Sequence, residues 1–269
     1  MTITRAMTRT SERSRLEIPP APRVVRTQWR RGLGYLRALM DEPDETANAM
    51  DLQFALGMLE QERHFQRMTR EAGGRTLLLE RPDLLAALSD RAALAAMPEG
   101  SLGRALLDYF DRFGFDPRSL VELFRSVQAR WVREEAEPAP DALRAWYRER
   151  SLLLHDVFHV VSGYDADQLG EATLLGFSHG QLPGRVSRVL TAGASLEVLQ
   201  VMGWRWLPYL WRAWRRGRTA VWLHALPWEE LLERPLAEVR REAGVEAPEQ
   251  AHRRGVLRGR VEEAASLAA

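Results

Sequence analysis

Hydrophobic residues recur along most of the chain at intervals of three and four positions, a spacing that places them on one face of an α-helix. The alternation of polar and apolar residues that is typical of β-strands is nearly absent, and the helix-favouring residues Ala, Leu, Arg and Glu predominate. The pattern therefore predicts an all-α fold, a single helical domain of about eight to ten helices.

Capping residues and glycines mark the ends of the predicted helices. Asp44 begins a long amphipathic helix that ends at Gly73 and Gly74, and Asp141 begins a helix that ends at Gly163. With further signals of the same kind, the predicted helices cover residues 44–74, 82–88, 101–113, 116–131, 141–162, 167–182, 185–216, 228–232 and 235–243.

Composition divides the chain into a helical domain and two tails. Residues 1–22 combine an Arg-rich segment with the Pro-rich sequence I-P-P-A-P, which predicts a disordered tail and a stiff linker. Residues 23–248 form the predicted helical domain, and residues 249–269 form a C-terminal tail. Residues 1–15 also have the composition of a mitochondrial transit peptide, but the whole chain favours Arg, so a bacterial tail is the preferred interpretation.

The residue types that are missing exclude several kinds of chemistry. The chain has no cysteine, so disulfides, thiolate metal sites and cysteine nucleophiles are excluded. All 38 basic residues are Arg, which is typical of a GC-rich bacterial genome and excludes a Schiff-base lysine. The net charge of +1 gives no electrostatic reason to expect a nucleic acid partner. No apolar run is long and uncharged enough to predict a membrane-spanning helix.

The candidate site is the sequence H-D-V-F-H at residues 155–159, followed by Glu171. On a helix, His155 and His159 lie one turn apart, and Asp156 lies three residues before His159, so three potential ligands share one face. Because Gly163 ends that helix, the next one can run back and present Glu171 to the same point. The spacing predicts that these four residues hold one metal ion and form the catalytic centre.

Two imidazoles and two carboxylates suit a divalent ion such as Zn²⁺, Mn²⁺ or Fe²⁺ and leave positions open for water or substrate. Ligand type does not choose among these metals. The alternative, that the histidines are ordinary helix residues, is less favoured because apolar neighbours surround the motif and charged groups in such surroundings need partners. A metalloprotease is also disfavoured, because its helix motif has Glu where Asp156 stands.

The motif H-D-x-x-H with Glu after eleven further residues resembles the metal-ligand motif of the coenzyme Q (ubiquinone) biosynthesis protein 4 family. Three other stretches are similar to that family in the same order: M-P-E-G-S-L-G at 97–103, G-E-A-T-L-L-G-F at 170–177 and L-P-W-E-E-L-L at 226–232. The resemblance covers about residues 23–248. It implies a metal-dependent step in ubiquinone-type quinone biosynthesis, the oxidative decarboxylation of a polyprenylated benzoate ring at C1, or the organisation of the biosynthetic complex.

The same resemblance implies as partners a polyprenylated quinone precursor or other isoprenoid lipid, other quinone-biosynthesis proteins and a membrane surface, and it allows a homodimer. The expected location is cytoplasmic and peripheral to a bacterial inner membrane, or the matrix side of the mitochondrial inner membrane in a eukaryote. A non-catalytic prenyl-lipid carrier or scaffold with a structural metal stays open as an alternative. A hydrolase with adjacent His-Asp ligands is disfavoured, because the other histidines show no ligand pattern.

Two further expectations concern lipid. A polar head with a hydrocarbon tail requires a long apolar pocket beside the metal ion. Four tryptophans alternate with arginines between Trp204 and Arg218, and such a run could lie among lipid headgroups or at the mouth of a prenyl tunnel. The alternative is a buried helix with these indoles in the core, which is the preferred interpretation for most of them.

Overall fold

The computed structural model describes residues 16–22, 27–42 and 45–260, and this part of the chain contains fifteen α-helices, two 3-10 turns and no β-strand. The all-α prediction is confirmed, with more helices than expected because several are short. The Arg-rich segment 1–15, the predicted helix start at Asp44 and residues 261–269 of the predicted tail lie outside the described residues.

The α-helices are α1 Trp29–Asp41, α2 Thr46–Leu56, α3 Met58–Met68, α4 Ala72–Glu80, α5 Leu84–Ser89, α6 Arg91–Ala96, α7 Leu102–Phe113, α8 Pro117–Arg133, α9 Ala142–Ser162, α10 Gln168–Gln181, α11 Arg185–Met202, α12 Trp206–Thr219, α13 Trp228–Leu231, α14 Leu236–Ala243 and α15 Pro248–Ala251. The 3-10 turns are Gly203–Arg205 and Leu223–Ala225.

Local sequence signals place the ends of the helices nearest to the candidate site. The side chain of Asp141 accepts hydrogen bonds from the backbone N–H groups of Leu143 and Arg144 at the start of α9. Gly163 ends α9 with a positive φ of 75°, a conformation that glycine adopts without steric cost. The predicted bounds of this helix are therefore confirmed.

Two predicted helices are wrong in their extent. The segment 44–74 is not one helix, because the helical structure is interrupted after Leu56 and again after Met68. Gly73 and Gly74 do not end a helix but lie inside α4. A side chain at Gly73 would collide with the carbonyl oxygen of Ala225, so this glycine allows close packing.

The predicted helix 185–216 is also divided. Gly203 has a positive φ of 57° and separates α11 from α12. The break lets α12 pack along α10, and this is the most extensive contact between two helices in the described part of the chain. A Cβ atom on Gly217 of α12 would lie 2.0 Å from the carbonyl oxygen of Phe177 on α10, so the two backbones touch.

The main hydrophobic core surrounds α9, which lies at the centre of the molecule. Its apolar residues Leu154, Val157 and Val161 are fully buried. The same helix buries the guanidinium groups of Arg144, Arg148 and Arg150, each paired with a carboxylate from another element, namely Glu62, Glu137 and Glu229 respectively. Such burial is tolerated only because every charge has a partner.

Residues 246–260, most of which belong to the predicted C-terminal tail, lie against this body. Arg216 donates hydrogen bonds to the backbone carbonyls of Glu246 and Ser162. The ring of His252 is buried, with its centroid 4.0 Å from that of Tyr209. The hydroxyl of Tyr164 lies 2.8 Å from Nε2 of His252 and shares a hydrogen bond with it.

The tryptophan run between Trp204 and Arg218 divides between core and surface. Trp206 is fully buried and Trp214 is partly buried, whereas Trp204 is 81% exposed and Trp211 is 53% exposed. The preferred interpretation of core indoles therefore holds for part of the run. None of the described helices combines the length and the apolarity that crossing a membrane requires.

We expect Trp206→Ala to lower the free energy of unfolding by about 3–5 kcal/mol, because it removes a fully buried indole from the core. Trp204→Ala should change it by less than about 0.5 kcal/mol, because that indole is exposed. Urea denaturation of the two variants measures the difference. Equal destabilisation would contradict this division of the run.

Candidate metal centre

Helices α9 and α10 bring three of the four predicted ligands together. His155 and His159 lie one turn apart on α9, with their ring centroids 4.8 Å from each other. Asp167 caps α10, and Glu171 in its first turn points back toward both imidazoles. Nε2 of His159 lies 3.1 Å from Oε1 of Glu171, and Nε2 of His155 lies 3.7 Å from Oε2. The three residues each offer a ligand atom, and these atoms lie within 4.8 Å of one another.

Asp156, the fourth predicted ligand, lies beside this group without joining it. Its side chain is nearly buried and lines the same cavity as His155 and Glu171. Burial raises the pKa of Asp156 to about 7, opposed by the nearby His159 and supported by the negative charge of Glu171. A role for Asp156 as a ligand stays a prediction.

The orientation of His159 is fixed by a backbone contact. Its Nδ1 lies 2.8 Å from the carbonyl oxygen of Tyr164, and because a carbonyl can only accept, Nδ1 carries the proton. Nε2 is then the atom with the free lone pair, and it is buried without a well-aligned hydrogen bond. An imidazole held in this way is typical of a metal ligand, so the residues present fit a divalent ion.

The charges at the centre are coupled. Burial opposes protonation of His159, but the negative charge of Glu171 outweighs it and raises the pKa of His159. Burial likewise opposes ionisation of Glu171, but the two histidines lower the pKa of this carboxyl. The ring of His155 faces the cavity, but the surrounding protein still desolvates it and, with the neighbouring His159, lowers its pKa to about 4. A neutral imidazole and an ionised carboxylate are the forms that bind metal, so a metal ion that binds here would displace the proton that Glu171 stabilises on His159.

Tyr109 on α7 belongs to the site, although the sequence gave no reason to include it. Its ring stacks on that of His159 at a centroid distance of 5.3 Å, and its hydroxyl is buried without a hydrogen-bond partner among the described residues. Burial raises the pKa of Tyr109, and the charges of Asp156 and Glu171 raise it further. Helical spacing could not reveal this contact, because it joins residues far apart in the chain.

A cavity of about 690 Å³ adjoins the centre. Most of its surface is apolar, so the cavity has the apolar character that was predicted beside the candidate ligands. His155 and Glu171 are 46% and 41% exposed, and both line this cavity. A metal bound here would therefore keep positions open toward the cavity, as in catalytic rather than structural zinc sites. The apolar lining comes from α2, α8, α9 and neighbouring loops and includes Met50, Phe115, Leu120, Leu123, Phe124, Leu152 and Phe158.

Comparison with known proteins points to one family. The family model described as "Coenzyme Q (ubiquinone) biosynthesis protein Coq4" matches residues 38–249. The chain is 30% identical over 184 residues to the mitochondrial ubiquinone biosynthesis protein COQ4 of Arthroderma otae, an alignment that covers 67% of this chain and 63% of the relative. It is 28% identical over 198 residues to the mitochondrial COQ4 homolog of Danio rerio, an alignment that covers 68% of this chain and 63% of the relative. The chain thus spans less than two thirds of the length of either relative.

A solved structure supports the fold. It is a crystal structure from Nostoc punctiforme PCC 73102 of a protein assigned to ubiquinone biosynthesis, and it superposes with a TM-score of 0.56 at 21% sequence identity. The match covers 81% of this chain and 98% of the other. At this identity the likeness concerns the arrangement of the helices alone.

We expect His159→Ala to lose metal, because it removes a buried imidazole that its neighbours already orient. Substitution of residues that only hydrogen-bond to a metal's ligands lowers metal affinity roughly 10- to 100-fold. Loss of a ligand itself should lower the metal affinity by more than that. Elemental analysis and a competitive chelator titration of the purified protein measure it. The matched control is His179→Ala, because His179 contacts Ser187 outside this centre. Unchanged affinity in His159→Ala would show that His159 is not a ligand.

Proposed function

This chain belongs to the coenzyme Q (ubiquinone) biosynthesis protein Coq4 family, and on that premise we propose that it is a metal-dependent protein of lipid quinone biosynthesis. Its proposed reaction is the oxidative decarboxylation at C1 of a polyprenylated benzoate ring. Organisation of other quinone-biosynthesis proteins into a complex, with or without a homodimer, is a further proposed role.

The observation that carries this proposal is the position of a three-residue ligand set in the wall of a mostly apolar cavity. His155 and Glu171 line the cavity, so a polar head could reach them while a hydrocarbon tail lies along the apolar walls. A site for water-soluble substrates would not need such walls. The geometry therefore favours a ligand with a polar head and an isoprenoid tail.

The residues that would hold the ion are His155, His159 and Glu171, with Asp156 as the predicted fourth ligand. A bound Zn²⁺, Mn²⁺ or Fe²⁺ would neutralise negative charge on the oxygens of a carboxylated phenol. Phe115 and Phe158 line the cavity and exclude water from a ring placed there. Replacement of the carboxylate by a hydroxyl releases CO₂ and requires a two-electron oxidant, such as O₂, as a co-substrate.

The second candidate is a carrier or scaffold that binds a prenyl lipid without turning it over. The size and apolar lining of the cavity suit a carrier as well as an enzyme. The open side of the ligand set favours the enzyme, because structural metals are usually enclosed by protein ligands. Both candidates would bind the same lipid, but only the enzyme would convert it to a product.

We expect metal-loaded protein to release labelled CO₂ from a prenylated hydroxybenzoate that carries ¹³C in its carboxyl group, when an oxidant is supplied. His155→Ala should reduce the rate at least about 100-fold, because it removes a ligand on the cavity side of the centre. Mass spectrometry of the gas and of the ring product measures the reaction. Binding of the lipid without release of CO₂ would favour the carrier.

The proposed membrane-docking surface comprises the 3-10 turn Gly203–Arg205 and the exposed face of α12. Trp204, Leu207 and Trp211 are exposed, and the guanidinium of Arg215 lies 5.7 Å from the Trp211 ring centroid. Indoles bury apolar area at a lipid interface, and arginines beside them meet anionic headgroups. A polyprenyl substrate resides in the bilayer, so a protein that uses it must dock there.

We expect the double variant Trp204→Ala and Trp211→Ala to lose most of its flotation with anionic liposomes and to stay folded, because both indoles are exposed. Flotation of the parent should also weaken at high salt, since each basic residue near the surface contributes about 1 kcal/mol that salt screens. The matched control is Trp29→Ala, another exposed tryptophan, on α1. Unchanged flotation of the double variant would exclude this turn and α12 as the docking surface.

A further inference from the structure

A small polar pocket lies beside α3 and α10, apart from the apolar cavity. It has a volume of about 280 Å³ and is lined by Glu60 and Arg63 of α3, His179 of α10, and Pro183, Gly184 and Arg188 around the start of α11. Their neighbours in the sequence line the apolar cavity instead, namely Gln61, His64, Ser178 and Leu182. Helices α3 and α10 thus form a wall between the cavity and this pocket.

A carboxylate in the pocket lacks a hydrogen-bond partner. The side chain of Glu60 is only 9% exposed, and its Oε1 lies 3.6 Å from Nε of Arg185, too far for a hydrogen bond. Its Oε2 is buried and has no hydrogen-bond partner among the described residues. A buried charge of this kind needs a donor of opposite charge, and an ammonium group is such a donor.

His179 offers a second acceptor. Its Nδ1 lies 2.8 Å from Oγ of Ser187, and that hydroxyl also lies 3.1 Å from the carbonyl oxygen of Leu182 and 3.2 Å from that of Gly184. Because a carbonyl can only accept, the hydroxyl proton goes to one of these oxygens, and Nδ1 of His179 donates to Oγ. Burial and the charge of Arg188 lower the pKa of His179, so the ring is neutral and Nε2 keeps its lone pair.

Positive charge lies at the same pocket. Arg63 and Arg188 are exposed, and neither pairs with a carboxylate in the part of the chain that the structure describes. The Nε of Arg188 donates to the carbonyl of Gly184, which leaves its terminal N–H groups for a ligand. Gly184 is the N-cap of α11 and makes no side-chain cap hydrogen bond, so the positive end of this helix also lies here. A phosphate group, with up to two negative charges and three acceptor oxygens, matches this arrangement.

Neither a metal ion nor a simple anion satisfies the whole pocket. A divalent ion would be repelled by Arg63, Arg185 and Arg188. A simple anion would be repelled by Glu60 and would leave its Oε2 without a donor. The ligand must therefore carry an ammonium group as well as an acid group.

We propose that this pocket binds a small phosphorylated primary amine of the phosphoethanolamine type. Its ammonium group would contact Glu60 and His179, and its phosphate would contact Arg63 and Arg188. The site lies outside the metal centre and does not depend on the proposed function.

The same chemical group exists as a free phosphate monoester and as the headgroup of a phospholipid. The free monoester fits two arginines better, because it carries more negative charge than the diester of a lipid. The pocket also lies at the start of α11, whose 18 residues place it about 27 Å along the helix axis from the turn that carries Trp204. Both points favour the free monoester.

Two matched ligands test the site: phosphoethanolamine, and ethyl phosphate, which lacks only the amine. We expect the full-length protein to bind phosphoethanolamine at least about 10-fold more tightly, because a charge-assisted hydrogen bond to Glu60 is added. Isothermal titration calorimetry measures both dissociation constants. Glu60→Gln should bring their ratio close to one, because it removes the charge that the ammonium group needs.

Arg188→Ala changes an exposed side chain and should weaken the binding of both ligands by a similar factor of at least about five. The matched control is Arg70→Ala, an exposed arginine just beyond α3 that does not line the pocket, and it should leave both constants unchanged.

Glycerophosphoethanolamine, a soluble diester, distinguishes the two sources and should bind more weakly than phosphoethanolamine. Tighter binding of the diester would assign the same site to a lipid headgroup. The proposal would be overturned by equal binding of phosphoethanolamine and ethyl phosphate, by no binding of either, by an unchanged ratio in folded Glu60→Gln, or by unchanged affinities in Arg188→Ala.

Discussion

The need to give the buried arginines and His159 of α9 charged partners governs the arrangement of this molecule. The helix runs through the core, yet it carries three buried arginines as well as the His-Asp-His motif. Unpaired, each charge would cost several kcal/mol in such surroundings. The partners come from separate parts of the chain: α3, the connection before α9, α13 and α10. The surrounding helices are thus positioned by electrostatics as well as by apolar packing.

Sequence patterns revealed the parts of the site that depend on local geometry. His155 and His159 share a face because of helical periodicity. Gly163 ends α9 and Asp167 caps α10, so that α10 runs back and brings Glu171 to the same point. The convergence of these ligands could therefore be predicted. Tyr109 could not be found in this way. It reaches the site through a tertiary contact between distant segments, and its position has no spacing that helix geometry relates to the motif.

Glycines explain two of the errors in the predicted helix bounds. Gly163 and Gly203 both interrupt helices with positive φ, yet only the first stood where a stop was predicted. Gly73, predicted to be a stop, lies within a helix because a neighbouring backbone carbonyl approaches it closely. A glycine that ends a helix is needed for its positive φ, whereas a glycine inside a helix can be needed because a neighbouring backbone packs against it. The sequence alone does not distinguish the two cases.

The support of the candidate metal centre extends to a distant segment of the chain. The carbonyl that orients His159 belongs to Tyr164, whose hydroxyl bonds to His252 and whose ring lies beneath the guanidinium of Arg216. His252 lies 88 positions after Tyr164 in the sequence, so this anchor depends on long-range folding, whereas α9 and α10 are consecutive helices. Local unfolding of the segment around His252 would therefore loosen the orientation of His159 while leaving all the candidate ligands in place.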